Sequence, residues 1–138
     1  MSQAAIIQAI RDRFDEQVAT PESLRVIHDN AKEPSSRIQK WCRFSVQVDG
    51  TSYQMLGQNR ERTIGVATAI LFTPIGEGDA SSLSLADKVT AAFRRVRLAS
   101  PDISFMPPPG LVGVAEQDEA WCRRTVRIPF RADTVETA

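Results

Sequence analysis

The segment IGVATAILF (residues 64–72) is apolar at almost every position, and the rest of the sequence is best interpreted outward from it. Successive side chains of a strand point to opposite faces, so a half-buried strand carries polar residues at every second position. Here both alternating sets are apolar, which is typical of a strand covered on both sides. The run stops at Pro74. We therefore predict a strand from Ile64 to Phe72 that is covered by a helix or by another subunit.

The segment WCRFSVQV (residues 41–48) shows the simpler pattern of a half-buried strand. Cys42, Phe44, Val46 and Val48 share one face, and polar residues occupy the other. The next two residues, Asp49-Gly50, favour a two-residue hairpin turn because both central positions of that turn need a positive φ. This pattern predicts a return strand over residues 52–56, followed by a polar loop at 57–63.

On the other side of the central segment, the sequence predicts a small-residue loop from Gly76 to Ser82 and then a helix. Ser84 and Asp87 have the spacing of a capping box at the helix start. Apolar residues then recur at helical spacing: Leu85, Val89, Ala92, Phe93 and Val96. Arg94, Arg95 and Arg97 fall near the predicted helix end. They are placed either to stabilise the partial negative charge there or to contact a partner protein or passing DNA.

The two ends of the chain add a first helix and further strands. Apolar residues at three- and four-residue steps, Ile7, Ile10, Phe14 and Val18, predict an amphipathic helix. A long polar connection is predicted over residues 21–40 with no regular element. Short strands are predicted at 103–105 and 111–115, a longer one at 121–130 with Pro129 at an edge or strand end, and a flexible tail at 131–138. The order favours one α+β domain over residues 1–138, with a mainly antiparallel sheet and helices packed on one side.

Composition limits the classes of partner. The chain has 138 residues, and 17 Lys and Arg balance 17 Asp and Glu, so no global field favours nucleic acid or an anionic membrane. The longest apolar run is far shorter than the ~20 residues that span a bilayer. We expect no membrane partner and a chain that stays in cytosol-like conditions.

The residue types that usually carry chemistry are sparse. His28 is the single histidine, so a histidine dyad or a multi-histidine metal site cannot be built within one chain. Cys42 and Cys122 each follow a Trp on a predicted strand, and buried inert thiols are the expected state. The repeated Trp-Cys-Arg does not extend into its flanks and is interpreted as coincidence. We expect no catalytic, cofactor-binding or metal site, and hence no enzyme.

Several short patterns together resemble the tail terminator proteins of long-tailed bacteriophages, the family that includes the phage lambda tail terminator. They are WCRFSV (41–46), Leu56-Gly57 with Arg62, IGV (64–66), LFTPIGEG (71–78), LADKV (85–89) with Ala92-Phe93, Phe105 with Pro107-Pro108, Val112-Gly113, and the segment 121–130. The resemblance covers most of the chain beyond the first connection.

The resemblance implies a structural virion protein that forms a ring, expected to be a hexamer. Such a ring docks on the completed end of the tail tube, stops its polymerisation and presents a surface for head joining. The implied partners are further copies of the chain, the tail tube protein, a head-completion or neck protein, the tape-measure protein as a further candidate, and DNA only in passage. The implied location is the head-proximal end of the virion tail, after assembly in the host cytoplasm.

Two sets of polar residues are the candidate partner contacts, and no finer site can be assigned. They are the loop and strand start at Gln58, Asn59, Arg60, Glu61 and Arg62, and the arginines Arg94, Arg95 and Arg97. Two other functions remain open from the sequence: a head-completion or neck adaptor of the same particle, and a small nucleic-acid-binding protein that uses its arginines.

Overall fold

A computed structural model describes residues 3–22, 24–28, 40–53, 60–74, 79–99, 102–118 and 121–135. Within these ranges the chain forms two α-helices and seven strands. The helices are α1 (Gln3–Phe14), extended by a π-helical turn (Asp15–Ala19), and α2 (Asp79–Phe93). The strands are β1 (Arg25–Ile27), β2 (Trp41–Tyr53), β3 (Arg60–Pro74), β4 (Arg97–Ala99), β5 (Asp102–Ser104), β6 (Gly110–Asp118) and β7 (Trp121–Val135).

All seven strands belong to one sheet, in the order β1-β2-β3-β7-β5-β4, with β6 also paired to β7. The pair β1 and β2 is parallel, and every other pair is antiparallel. The predicted α+β class is confirmed. The apolar segment 64–72 lies within β3, between the two other long strands, β2 and β7. Its position inside the sheet explains why it is the most continuously apolar stretch of the chain.

Both helices pack on the same face of the sheet and form the main core with it. The buried stripe of α1 and its π-helical turn is Ile6, Ile10, Phe14 and Val18, close to the predicted one, with Ile7 half-buried. The rings of Phe14 and Phe44 stack with centroids 4.2 Å apart, which joins α1 to β2. From α2, Leu85, Val89 and Phe93 enter the same cluster. This face of the sheet is therefore closed within the chain.

The hairpin turn predicted at Asp49-Gly50 is wrong. β2 continues to Tyr53, Ser52 aligns with Arg62 of β3, and the pairing register shifts between Val48 and Gly50. Gly50 does not adopt the positive φ that the predicted turn requires. The pair accommodates one extra residue in the strand as a β-bulge, because β3 supplies pairing partners on both sides of it. The predicted return strand is thus the end of β2, and residues 54–56 lie outside the described residues.

The predicted boundaries of the second helix are also wrong. α2 begins at Asp79, within the predicted loop, and ends at Phe93, so Val96 and Arg97 are not helical. Arg95 takes a φ of 55°, a left-handed conformation that ends a helix. Arg97 instead begins β4, a strand that the sequence analysis did not predict.

Three predictions near the chain ends need correction as well. The connection over residues 21–40 contains β1, whose parallel pairing with β2 is a long-range contact without a local signal. β7 continues to Val135, so residues 131–135 are strand and not part of a flexible tail. Pro129 lies inside β7, where the neighbouring strand changes from β6, aligned up to Arg127, to β5, aligned from Arg131. A residue without an N–H is tolerated there because a partner is missing on one side.

Candidate assembly surface

The face of the sheet opposite the helices is the candidate functional surface, and we call it the outer face. It comprises the even-numbered residues of β3 from Arg62 to Phe72 and the residues aligned with them on neighbouring strands. On β2 these are Trp41, Arg43, Ser45 and Gln47, and on β7 they are Arg123, Thr125, Arg127, Pro129, Arg131 and Asp133. The odd-numbered β3 residues Ala67, Ala69 and Leu71 point into the main core and are fully buried. The prediction that both faces of this strand are apolar holds, but the helices cover one face only.

One end of the outer face is an aromatic cluster. The rings of Trp41 and Phe72 stack with centroids 4.0 Å apart, and Trp121 meets Trp41 edge-on at 6.3 Å. These three residues and Ile27 are buried. The Nε1 of Trp41 is buried and has no hydrogen-bond acceptor in the part of the chain that the structure describes, an unusual state for an indole N–H. This end of the outer face is closed to solvent.

The sequence analysis missed this cluster and treated the repeated Trp-Cys-Arg as coincidence. β2 and β7 flank β3 on opposite sides, and the repeat places Trp41 and Trp121 at the same end of the sheet. The sequence did contain a signal for the cluster, because each Trp lies on the strand face opposite the alternating apolar residues of the same strand. Of the two following cysteines, Cys42 is buried, whereas Cys122 is only partly so. Burial, and to a smaller extent the charge of Asp15, raises the pKa of the Cys42 thiol, which keeps it unreactive.

The middle of the outer face is apolar and open. Ile64, the fifth residue of β3, is 50% exposed, and Val66, the next residue on the same face, is half-buried. On β7, Arg131 aligns with Ile64, and the exposed Arg127 lies two alternating positions away. The Nε of Arg131 is buried without an acceptor within the described residues. An apolar centre beside arginines with unused donors is the composition of a protein interface.

A row of charged side chains lies at the other end of the outer face. Arg62 holds Asp133 with two hydrogen bonds, at 2.8 Å and 3.2 Å, and Arg97 holds Asp102 in the same way, at 2.9 Å and 3.0 Å. Asp133 and Asp102 are aligned neighbours on β7 and β5. The hydrogen bonds to these carboxylates are the main cause of the raised pKa of each guanidinium. The structure thus brings together Arg62 and Arg97, which lie 35 positions apart in the numbering.

Among the other predicted contact residues of the loop and strand start, Glu61 lies outside this row. Gln58 and Asn59 lie outside the described residues, and Arg60 is placed only as the first residue of β3. Glu61 follows it on the opposite strand face from Arg62. The eight candidates therefore do not form one cluster.

Arg94 and Arg95 are exposed at the end of α2. Arg13 of α1 also reaches that helix end. Its Nε donates to the carbonyl of Ala92 at 2.9 Å. A cation that satisfies a terminal carbonyl stabilises the helix end, and one helix thereby ties down the other. Arg94 and Arg95 remain surface residues of the helix layer.

The described residues show little that suggests small-molecule chemistry. They contain no group of three or more His, Cys, Asp or Glu side chains that could hold a metal ion. None of their helices is long and apolar enough to cross a membrane. His28 lies beside a shallow groove next to the π-helical turn, with its Nε2 3.7 Å from a carboxylate oxygen of Asp15. Arg124 donates from Nε to the Ser82 hydroxyl at 2.9 Å.

Comparison with known proteins decides the family. The sequence profile described as phage tail terminator protein matches residues 5–130. The chain belongs to the phage tail terminator family. It is accordingly a structural component of a phage tail and not a member of an enzyme family. The resemblance found in the sequence is confirmed, and it extends through α1 and the first connection.

A solved structure whose description states no function aligns with this member of the family over 99% of each chain. The TM-score is 0.77 and the sequence identity is 22%, so the likeness shows the fold alone. No curated protein sequence matches the chain.

Proposed function

We propose that the chain forms a hexameric ring that caps the head-proximal end of the phage tail tube, stops tube polymerisation and offers the surface to which the head joins. The observation that carries this proposal is the family match over residues 5–130. The outer face adds support, because an open apolar strand centre flanked by arginines is suited to contact between subunits. Contacts that repeat head to tail between identical subunits close into a ring when the rotation is suitable.

The proposed partners follow from that position. They are further copies of the chain, the tail tube protein below the ring, a head-completion or neck protein above it and the tape-measure protein inside the tube. DNA passes through the ring without specific recognition. Assembly in the host cytoplasm precedes incorporation into the virion, and the whole chain acts as one domain.

Deletion of the gene tests the proposal most directly. Without the capping ring, tube subunits keep adding, so electron microscopy of lysates should show tails longer than normal and unattached to heads. Expression of the wild-type chain from a plasmid should restore normal tails. Mutant tails of normal length would contradict the terminator role.

The two other functions left open by the sequence predict different results. A neck adaptor would cross-link to the portal side and not to the tube protein, and its deletion would leave tail length normal. A nucleic-acid-binding protein would use the arginines of the outer face, so its affinity for duplex DNA would fall steeply with salt.

A further inference from the structure

We propose that the outer face of one copy is covered by the helix layer of the next copy, where the helix layer consists of α1, the π-helical turn and α2. In this contact, arginines of the sheet pair with carboxylates of the helix layer. This inference rests on the proposed ring and names the two surfaces that build it.

The state of the outer face is the first argument. Its aromatic end is buried, whereas its centre exposes half of Ile64 beside Val66. A strand that is apolar on both faces needs cover on both. Among the described elements, α1 and α2 both pack on the core face. The cover for Ile64 is therefore expected from a second molecule.

The charges of the outer face are the second argument. Its described side chains include seven arginines and four carboxylates, namely Arg25, Arg43, Arg62, Arg97, Arg123, Arg127 and Arg131 with Asp49, Asp102, Glu116 and Asp133. Seven less four leaves an excess of three positive charges. The described part of the outer face is therefore net positive, and exposed carboxylates on another copy can complement it.

The helix layer also has exposed carboxylates that form no ion pair within the described part of the subunit. Glu16 on the π-helical turn and Asp87 on α2 are exposed, and neither is paired with a cation within the described residues. Glu22, by contrast, is already held by Lys40 and Lys88. On the outer face the exposed guanidinium of Arg127 and the buried Nε of Arg131 both lack an acceptor there. Unused donors on one surface match unused acceptors on the other.

Size and geometry fit a specific contact. Strands β2, β3 and β7 have 13, 15 and 15 residues. At about 3.3 Å per residue and about 4.8 Å between strands, these three strands present roughly 700 Å² on one face, part of which is the buried aromatic end. A standard protein interface buries about 800 Å² on each partner. Because sheet and helices lie on opposite sides of the subunit, the contact uses two different surfaces and leaves both available for the next copy. That is the arrangement from which cyclic rings are built.

Charge reversal on each surface tests the pairing in the full chain. Arg127→Glu should weaken self-association at least tenfold in sedimentation velocity at low salt, because like charges then face each other across the contact. Glu16→Arg or Asp87→Arg should weaken it similarly. The double variant that combines Arg127→Glu with the more damaging of these two should recover association, since the pair is restored with its signs exchanged. Circular dichroism should confirm that every variant folds.

Arg94→Glu is the matched control. It makes the same charge change on the helix layer, where added negative charge does not oppose the arginine-rich face. Its self-association should be as strong as wild type or stronger. Equal weakening by Arg127→Glu and Arg94→Glu would show an effect of net charge and overturn the proposal. A wild-type chain that stays monomeric at every concentration would also overturn the proposal. The same holds if each variant with one of the surface charges named above reversed associates normally.

The same variants separate this proposal from the proposed function. If deletion of the gene leaves tail length normal, the terminator role fails whatever the association data show. If wild type and Arg127→Glu both restore tails and associate equally, the terminator role stands and the outer face is not the contact. If Arg127→Glu associates normally but loses binding to a short DNA duplex at low salt, the outer face is a nucleic-acid surface, and the pairing with a second copy is excluded.

Discussion

The two faces of β3 have similar sequences but different surroundings. On the core face, Ala67, Ala69 and Leu71 are fully buried under the helices. On the outer face, Ile64 is half exposed, and burial becomes nearly complete only at Phe72. Apolar residues on both faces therefore indicate that both need cover, but the pattern does not say whether the cover lies in the same chain. Four sets of substitutions test this comparison, and the expected loss of stability decreases from the first set to the last.

Substitution of one phenylalanine on each face of the sheet tests which parts of that face are closed to solvent. Phe44 is fully buried and stacks on Phe14, so Phe44→Ala should lower the free energy of unfolding by about 3–5 kcal/mol in a denaturant titration. Phe72→Ala on the outer face should cost about 3 kcal/mol, because Phe72 stacks on Trp41 in the buried aromatic end. A loss of under about 1 kcal/mol for Phe72→Ala would mean that the aromatic end is open like the centre.

A matched pair of isoleucines compares the core with the open centre. Ile128 of β7 is fully buried on the core face, and Ile128→Ala should cost about 2–5 kcal/mol in the same titration. Ile64→Ala should cost less than about 1 kcal/mol in the monomer, because half of that side chain already contacts solvent. Equal losses would contradict the assignment of Ile64 to an open surface.

Gly65 marks the place where the core face is most tightly packed. A Cβ at this position would lie 2.2 Å from the carbonyl oxygen of Gln47 and 2.7 Å from the ring of Phe130. Gly65→Ala should therefore destabilise the fold by about 1–3 kcal/mol through forced displacement of the strand. Gly110→Ala, where a Cβ meets nothing within 4 Å, is the control and should change stability by less than about 0.5 kcal/mol. Equal effects would contradict the close packing.

The smallest expected effect concerns the ion pairs beneath the helix layer. The pKa of Glu22 is lowered, mainly by its hydrogen bond to Lys88, with Lys40 adding to the effect. A carboxylate with a lowered pKa stabilises the fold above its unfolded pKa, and this stabilisation is lost as pH falls through the folded value. Wild type should exceed Glu22→Gln by about 0.2–1 kcal/mol at pH 6 and by nearly nothing at pH 3. A difference between wild type and Glu22→Gln that stays constant from pH 6 to pH 3 would contradict the ion-pair account.

Local periodicity was sufficient to predict α1, the central part of each long strand and the α+β class, but β3 begins at Arg60, inside the predicted polar loop at 57–63. The buried stripe of α1 repeats every three or four residues, and Cys42, Phe44 and Val46 alternate up to the register shift that follows Val48. These signals lie within a few residues of each other and depend little on the rest of the chain. Family membership was likewise accessible from short patterns spread along the sequence.

The features that the sequence did not predict depend on distant pairing. Asp49-Gly50 is a strong local turn signal, but the long ladder with β3 outweighs it and turns it into a bulge. The row from Arg62 to Arg97 exists only because β5 aligns with β7, and β7 with β3. In the same way, the aromatic cluster depends on the alignment of β2 and β7 across β3. Local patterns predicted that these arginines were polar surface, but not which carboxylates would hold them.

The bulge at Asp49 has a consequence for how copies of this chain can join. Within the described residues β1 is aligned with β2 only from Trp41 to Arg43, so the part of β2 after Arg43 lies at the lateral edge of the described sheet. A regular edge of that length invites a foreign strand to add to it, and repeated addition yields fibres. A register shift with a charged residue at its centre spoils the hydrogen-bond spacing that an added strand would need. A protein proposed to halt the growth of one polymer thus has an edge that discourages the growth of another.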